Sequence, residues 1–159
     1  MKNTILMIST VFFLNAFGVV WGAEIKPVKP ASKDKCPVCG MFVAKYPEFA
    51  AQIHFKDGTA YHFDGTKDFF RYYQNSSRYS PGKKTADVKA VFVTSYYKLS
   101  PINGLTAWYV TGSNINSPMG RELIPFAKEA EAKEFKRDHD GKAILRFKDV
   151  TPAVIKSLD

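Results

Sequence analysis

Ala51-Gln52-Ile53-His54-Phe55-Lys56-Asp57-Gly58-Thr59-Ala60-Tyr61-His62-Phe63-Asp64 is the stretch whose register decides the fold. Two short runs rich in aromatic and β-branched residues flank Lys56-Asp57-Gly58, the pattern of a β-hairpin. A two-residue Asp-Gly loop would pair Phe55 with Ala60 and set Ile53 opposite His62. A three-residue loop with Gly58 in the left-handed region pairs Phe55 with Thr59, Ile53 with Tyr61 and Ala51 with Phe63. Only the second gathers the larger apolar residues on one face, so it is the expected register. It leaves His54, His62 and Asp64 on the other face, with the two histidines diagonal neighbours about 7–8 Å apart.

Downstream, Asp64-Gly65-Thr66 can open a helix, with Asp64 or Thr66 near its N-cap and Phe69, Phe70, Tyr72 and Tyr73 as its apolar stripe. Residues 75–85 read as a polar loop around Pro81-Gly82, and residues 88–97, built on Val91-Phe92-Val93, as a central strand. The order is β-β-α-β. The second half repeats it. Residues 106–110 read as a strand, 113–120 as a loop ending in Ser117-Pro118-Met119-Gly120, and 122–126 as a strand. Residues 127–139 read as a helix stopped by Asp140-Gly141, and 143–147 as the last strand, before a short helix from Pro152. Order recurs where letters do not, as in a diverged duplication. The expected fold is therefore α+β, with two small β-β-α-β modules at 36–100 and 101–159.

Upstream, residues 23–35 are rich in Lys and Pro and read as an extended tether. In residues 1–22, Lys2 is the only charge, and positions 5–20 are apolar apart from Ser9, Thr10, Asn15 and Gly18. That run is short of the ~20 apolar residues of a membrane span. It ends in Val20-Trp21-Gly22-Ala23, where cleavage after Gly22 places Val20 at the −3 position. The expectation is a cleaved secretory signal peptide, with an uncleaved anchor as the alternative. No cysteine closes the apolar run, so no lipoprotein signal is expected. The mature chain is expected in the periplasm or outside the cell, where paired thiols tend to oxidise.

Composition narrows the function. The 159 residues are 45% apolar and 14% aromatic, enough for a packed core and against general disorder. Two cysteines exclude a disulfide-dense scaffold and an all-cysteine zinc site within one chain. There is no glycine-rich phosphate loop and no Gly-x-Ser-x-Gly nucleophile elbow. The net charge of +8 comes from scattered lysines, which reads as a solvated surface with no nucleic-acid partner.

Cys36-Pro37-Val38-Cys39-Gly40-Met41 carries the chemistry. A Cys-x-x-Cys pair is open to three readings: a thioredoxin-type redox pair, half of a zinc site, or a structural disulfide. The first normally opens a helix, whose N-terminus lowers a thiol pKa, whereas here a Lys/Pro tether precedes it. The second needs two more ligands, and no His-x3–5-His exists. Met41, two residues from Cys39, makes a soft sulfur set that selects Cu(I) over calcium or magnesium, and its thioether favours Cu(I) over zinc. Met119 lies in a Pro-Met-Gly turn, where a methionine has less reason to be core than in a strand or helix stripe. His62 lies near Asp64, a carboxylate able to orient its ring for a metal. The ordinary alternatives are packing for the methionines and a half-buried strand position for either histidine of the hairpin. His139, near a helix C-terminus, suits the macrodipole.

Cys-Pro-Val-Cys-Gly-Met, Phe49-Ala50-Ala51-Gln52, Asp57-Gly58 with Phe63-Asp64, Ser117-Pro118-Met119-Gly120 and Ile124-Pro125-Phe126 follow one another in an order that resembles the NosL family. These are copper-handling accessory proteins of nitrous oxide reductase, and the likeness spans roughly residues 34–150. The resemblance implies two β-β-α-β modules and a non-catalytic protein that binds one Cu(I). It implies delivery of copper to an apo-enzyme, nitrous oxide reductase, with a membrane copper-supply or accessory complex as a further partner. It also implies Cys39 and Met119 as copper ligands and a histidine as a third, so that Cys36, Met41 and His62 complete the candidate set. Many members carry a lipidated cysteine directly after the leader. Here Cys36 follows Asp34-Lys35, well past it, and is free to ligate copper or to pair with Cys39. The rival reading, a thiol–disulfide oxidoreductase using Cys36 and Cys39, gives Met119 no role.

Overall fold

The computed structural model describes residues 24–159. The expected signal peptide at 1–22 lies outside the described residues. Among the described residues, no helix is long and apolar enough to cross a membrane.

The hairpin forms in the expected register. β1 (Ala51–Phe55) pairs antiparallel with β2 (Ala60–Phe63), with Ala51 opposite Phe63 and Ile53 opposite Tyr61. The Phe55 N–H donates to the Thr59 carbonyl at 2.9 Å, and Gly58 holds φ +84°, the left-handed conformation the loop requires. α1 (Thr66–Gln74) follows, and its stripe of Phe69, Phe70 and Tyr72 is fully buried. Phe63 meets Phe69 and Tyr72 at ring-centroid separations of 5.7 and 5.2 Å, which seats α1 on the hairpin. Each such ring withdrawn from water contributes about 2–3 kcal/mol before the entropy of ordering it.

Residues 75–85 are more ordered than a plain loop, because α2 (Ser76–Tyr79) adds one helical turn there. β3 (Val88–Ser95) then pairs with the free side of β1. β4 (Ser100–Asn103), a strand absent from the sequence reading, pairs with β3 and completes a sheet ordered β2-β1-β3-β4. Its Pro101 is the reason it was hidden: proline argues against a strand except at a sheet edge, and β4 is an edge.

The second sheet is ordered β6-β5-β7, from β5 (Trp108–Ser117), β6 (Gly120–Phe126) and β7 (Ala143–Arg146). α3 (Glu129–Asp138) lies between β6 and β7 in sequence, and α4 (Pro152–Lys156) closes the chain. The architecture is α+β, as expected. One stretch of this second sheet departs from expectation. Residues 113–120 are not a loop, because β5 runs on to Ser117 and only Pro118-Met119 turn. Gly112, at φ +74°, starts an irregular stretch, and pairing resumes at Asn116–Arg121 and Ser117–Gly120. The polar letters Ser113, Asn114 and Asn116 conceal this outer strand.

The second sheet is covered on both faces, which explains its unbroken apolar runs. Val110, Ile124 and Phe126 join Ala132 and Phe135 of α3 in one cluster. Tyr109 and Leu123, on the opposite face, belong to the cluster of Phe63, Phe69 and Phe70. The two sheets thus share a core, and the α1 N-terminus lies against the β5–β6 hairpin.

The expected tether is seated from Val28 onward. The Val28 N–H donates to Gln52 Oε1 at 2.8 Å, and Gln52 Nε2 donates to the Val28 carbonyl at 3.1 Å. Gln52 and His54 therefore fill the second face of β1, and all five of its residues are buried.

Candidate metal centre

The Cys36–Met41 segment is a tight loop. The Cys36 N–H donates to the Met41 carbonyl at 2.9 Å, and the Gly40 N–H returns to the Cys36 carbonyl at 2.9 Å. Gly40 holds φ +79°, which a side chain would strain. A bridge from Lys35 to Phe42 closes the loop's base. Both thiols are thereby turned to one place, and neither is in a disulfide.

Facing them is the start of α1. Gly65 is the N-cap residue and no side chain caps the helix, so neither Asp64 nor Thr66 takes the expected capping role. Asp64 accepts instead from the Cys39 thiol, Sγ to Oδ1 at 3.1 Å. The Cys36 thiol points to Asp68 Oδ2 at 3.7 Å. Cys36, Cys39, Asp64 and Asp68 each offer a ligand atom, and these atoms lie within 4.8 Å of one another. Cys36 and both aspartates are fully buried, and Cys39 is half-buried.

The electrostatics of this cluster favour the protonated thiols. Burial pushes the Cys39 thiol up to about 12, the Asp64 carboxylate adding to the effect. Burial pushes the Cys36 thiol higher still, again reinforced by Asp64. Loop amides oppose both shifts. A catalytic redox thiol needs the opposite, a lowered pKa in electropositive surroundings. A soft metal ion that displaced the thiol protons would release both to solvent and form bonds to the two sulfurs in their place.

The remaining candidates are distributed as follows. His62 stays in β2 opposite Gln52, with Nδ1 3.2 Å from Asp34 Oδ2, so Asp34 and not Asp64 orients its ring. Strand β2 ends at Phe63, and the turn into α1 takes Asp64 out of the pleat. His62 Nε2 is buried with no hydrogen-bond partner among the described residues, and the ring lies outside the four-residue cluster. Met41 is half-buried in the cysteine loop. Met119 is half-buried at the tip of the β5–β6 hairpin, its N–H donating to Ser117 Oγ at 3.1 Å. Lys67 of α1 reaches that turn, Nζ donating to the Met119 carbonyl at 2.8 Å. The thioether-bearing turn is thus fastened to the end of α1 that carries Asp64 and Asp68.

Sequence reasoning missed Asp68 and gave Asp64 a different task. An acidic residue in the first turn of a helix has an ordinary explanation in the macrodipole, which hides a second role. The one usable signal was two acidic residues, Asp64 and Asp68, placed four apart across the start of α1.

Comparison with known proteins identifies the family of the chain. A family model described as NosL matches residues 27–155. The copper-binding lipoprotein NosL of Stutzerimonas stutzeri is 27% identical over 158 residues, covering 90% of this chain and 79% of that protein. The crystal structure of the copper chaperone NosL from Shewanella denitrificans superposes with a TM-score of 0.69 at 26% identity. It matches 80% of this chain and 97% of its own.

Proposed function

The chain belongs to the NosL family, and from that premise we propose that it is a non-catalytic Cu(I) metallochaperone of the periplasm. Copper is its cargo. Cys39 and Met119 are the principal ligands, and Cys36, Met41 and His62 are the auxiliary ones. Asp64 and Asp68 hold the thiol protons until the metal arrives. The observation that carries the reading is the free Cys36–Cys39 pair packed against the buried carboxylates of Asp64 and Asp68 at the start of α1, whose Lys67 also holds the Met119 turn. Two relatives named for copper support the choice of metal. Soft sulfur ligands favour Cu(I).

The client is an apo-cuproenzyme, nitrous oxide reductase, with a membrane copper-supply complex upstream. Half-buried Cys39 and Met119 suit handover, because a partner's ligands can attack the metal from the open side. The Stutzerimonas relative is named a lipoprotein. In this chain Cys36 is 1% exposed and points to Asp68, which supports a ligand's role for it.

An anaerobic Cu(I) titration against a competing chelator tests the proposal. Cys39→Ser and Met119→Leu are each expected to weaken binding by tenfold or more, about 1.4 kcal/mol, while the fold persists. Unchanged affinity in both variants would defeat the proposal.

A further inference from the structure

The β5–β6 hairpin is poorly supported beyond its irregular stretch. Only Asn116–Arg121 and Ser117–Gly120 pair there, and two rungs of ladder do not hold a tip in place by themselves. Opposite the irregularity sits Glu122, fully buried. Its Oε1 accepts from the Lys67 N–H at 2.5 Å and from the Leu123 N–H at 2.8 Å. The first of these bonds joins the second sheet to the first turn of α1. Lys67 is itself almost fully buried, and its Nζ donates to the carbonyls of Met119 (2.8 Å) and Leu158 (3.4 Å). Gly65 leaves room for the carboxylate: a Cβ there would stand 2.4 Å from Glu122 Oε2. Burying a carboxylate and an ammonium is a poor route to stability, but it fixes one relative placement of the parts they join.

We propose that Glu122 and Lys67 form a positioning clamp that holds the Met119 turn at the cysteine cluster and so sets the affinity for copper. The proposal rests on the reading of Met119 as a copper ligand. Neither residue touches the metal. Lys67 holds the turn by its Met119 carbonyl, and Glu122 holds the hairpin to α1 through the Lys67 amide.

The test is a double-mutant cycle in Cu(I) affinity on the folded chain, with the Met119 methyl resonance as a second readout. Lys67→Met and Glu122→Ala are each expected to weaken Cu(I) binding about tenfold, the loss of one well-placed hydrogen bond to a charged group. Both should also abolish the shift of the Met119 methyl signal on copper loading. Glu122→Gln, which keeps the acceptor oxygen, should restore both. In a Met119→Leu background none of these changes should weaken binding further. Equal weakening with and without Met119 would overturn the clamp while leaving the copper site standing. A Met119→Leu protein that binds as tightly as wild type would overturn the ligand reading itself. Should Lys67→Met or Glu122→Ala not fold, Ser117→Ala removes the acceptor of the Met119 N–H at little structural cost. It is expected to show a smaller weakening that again vanishes without Met119, and its persistence there would count against the clamp.

Discussion

Glu122 links fold and site at the scale of one residue. Burial raises its pKa to about 7, against the pull of the Leu123 and Lys67 amides. A carboxyl raised in the folded state favours the protonated form. Its contribution is therefore full below its ordinary value and is lost as pH rises through about 7. Wild-type protein is expected to lose up to about 3 kcal/mol between pH 5 and pH 8 relative to Glu122→Gln. Urea unfolding at the two pH values measures this, and parallel pH profiles would contradict it. None of this was legible in the sequence, where Glu122 is one acid at the start of a strand. Cys36 and Cys39 stood out through their motif, and Asp64 only as a helix cap and a partner for His62. Asp68 did not, because a first-turn acid needs no special explanation.

Elements differ in how far their letters betray them. The β1–β2 hairpin was readable to the residue, because only one loop length puts Ile53, Tyr61 and Phe63 on a common face. That argument makes Gly58 the pivot. Gly58→Ala is expected to cost about 1–2 kcal/mol, since φ +84° is strained for any side chain while the space around it is open. A thermal midpoint unchanged in that variant would mean that the loop relaxes to another register. The outer half of β5 was unreadable for the converse reason. Its residues are polar and its register is irregular, so neither alternation nor hydrophobicity marks it. β4 was masked by Pro101, which edge strands tolerate. The expected tether was only half described by its composition, because Gln52 binds the Val28 backbone on both sides. Gln52→Ala is expected to release residues 24–30 to proteases, with Cu(I) affinity unchanged. Protection equal to wild type would contradict this.

At the scale of the whole molecule, the module order was visible and the shared core was not. Tyr109 and Leu123 of the second sheet pack with Phe63, Phe69 and Phe70 of the first unit, and pairwise contacts across modules leave no local pattern. A shared core predicts one cooperative unfolding transition. Leu123→Ala is expected to lower stability by about 2–5 kcal/mol without splitting that transition. Two separate melts would mean that the modules are independent. The same packing ties the Met119 turn of the second sheet to Lys67 at the start of α1, the helix end that faces the thiol pair, and the proposed copper site rests on that link. Copper-edge X-ray absorption of the Cu(I)-loaded protein, compared with Met119→Leu, tests it most directly. The account predicts sulfur neighbours that include the thioether, with one sulfur fewer in the variant. An identical sulfur shell in both proteins would contradict it.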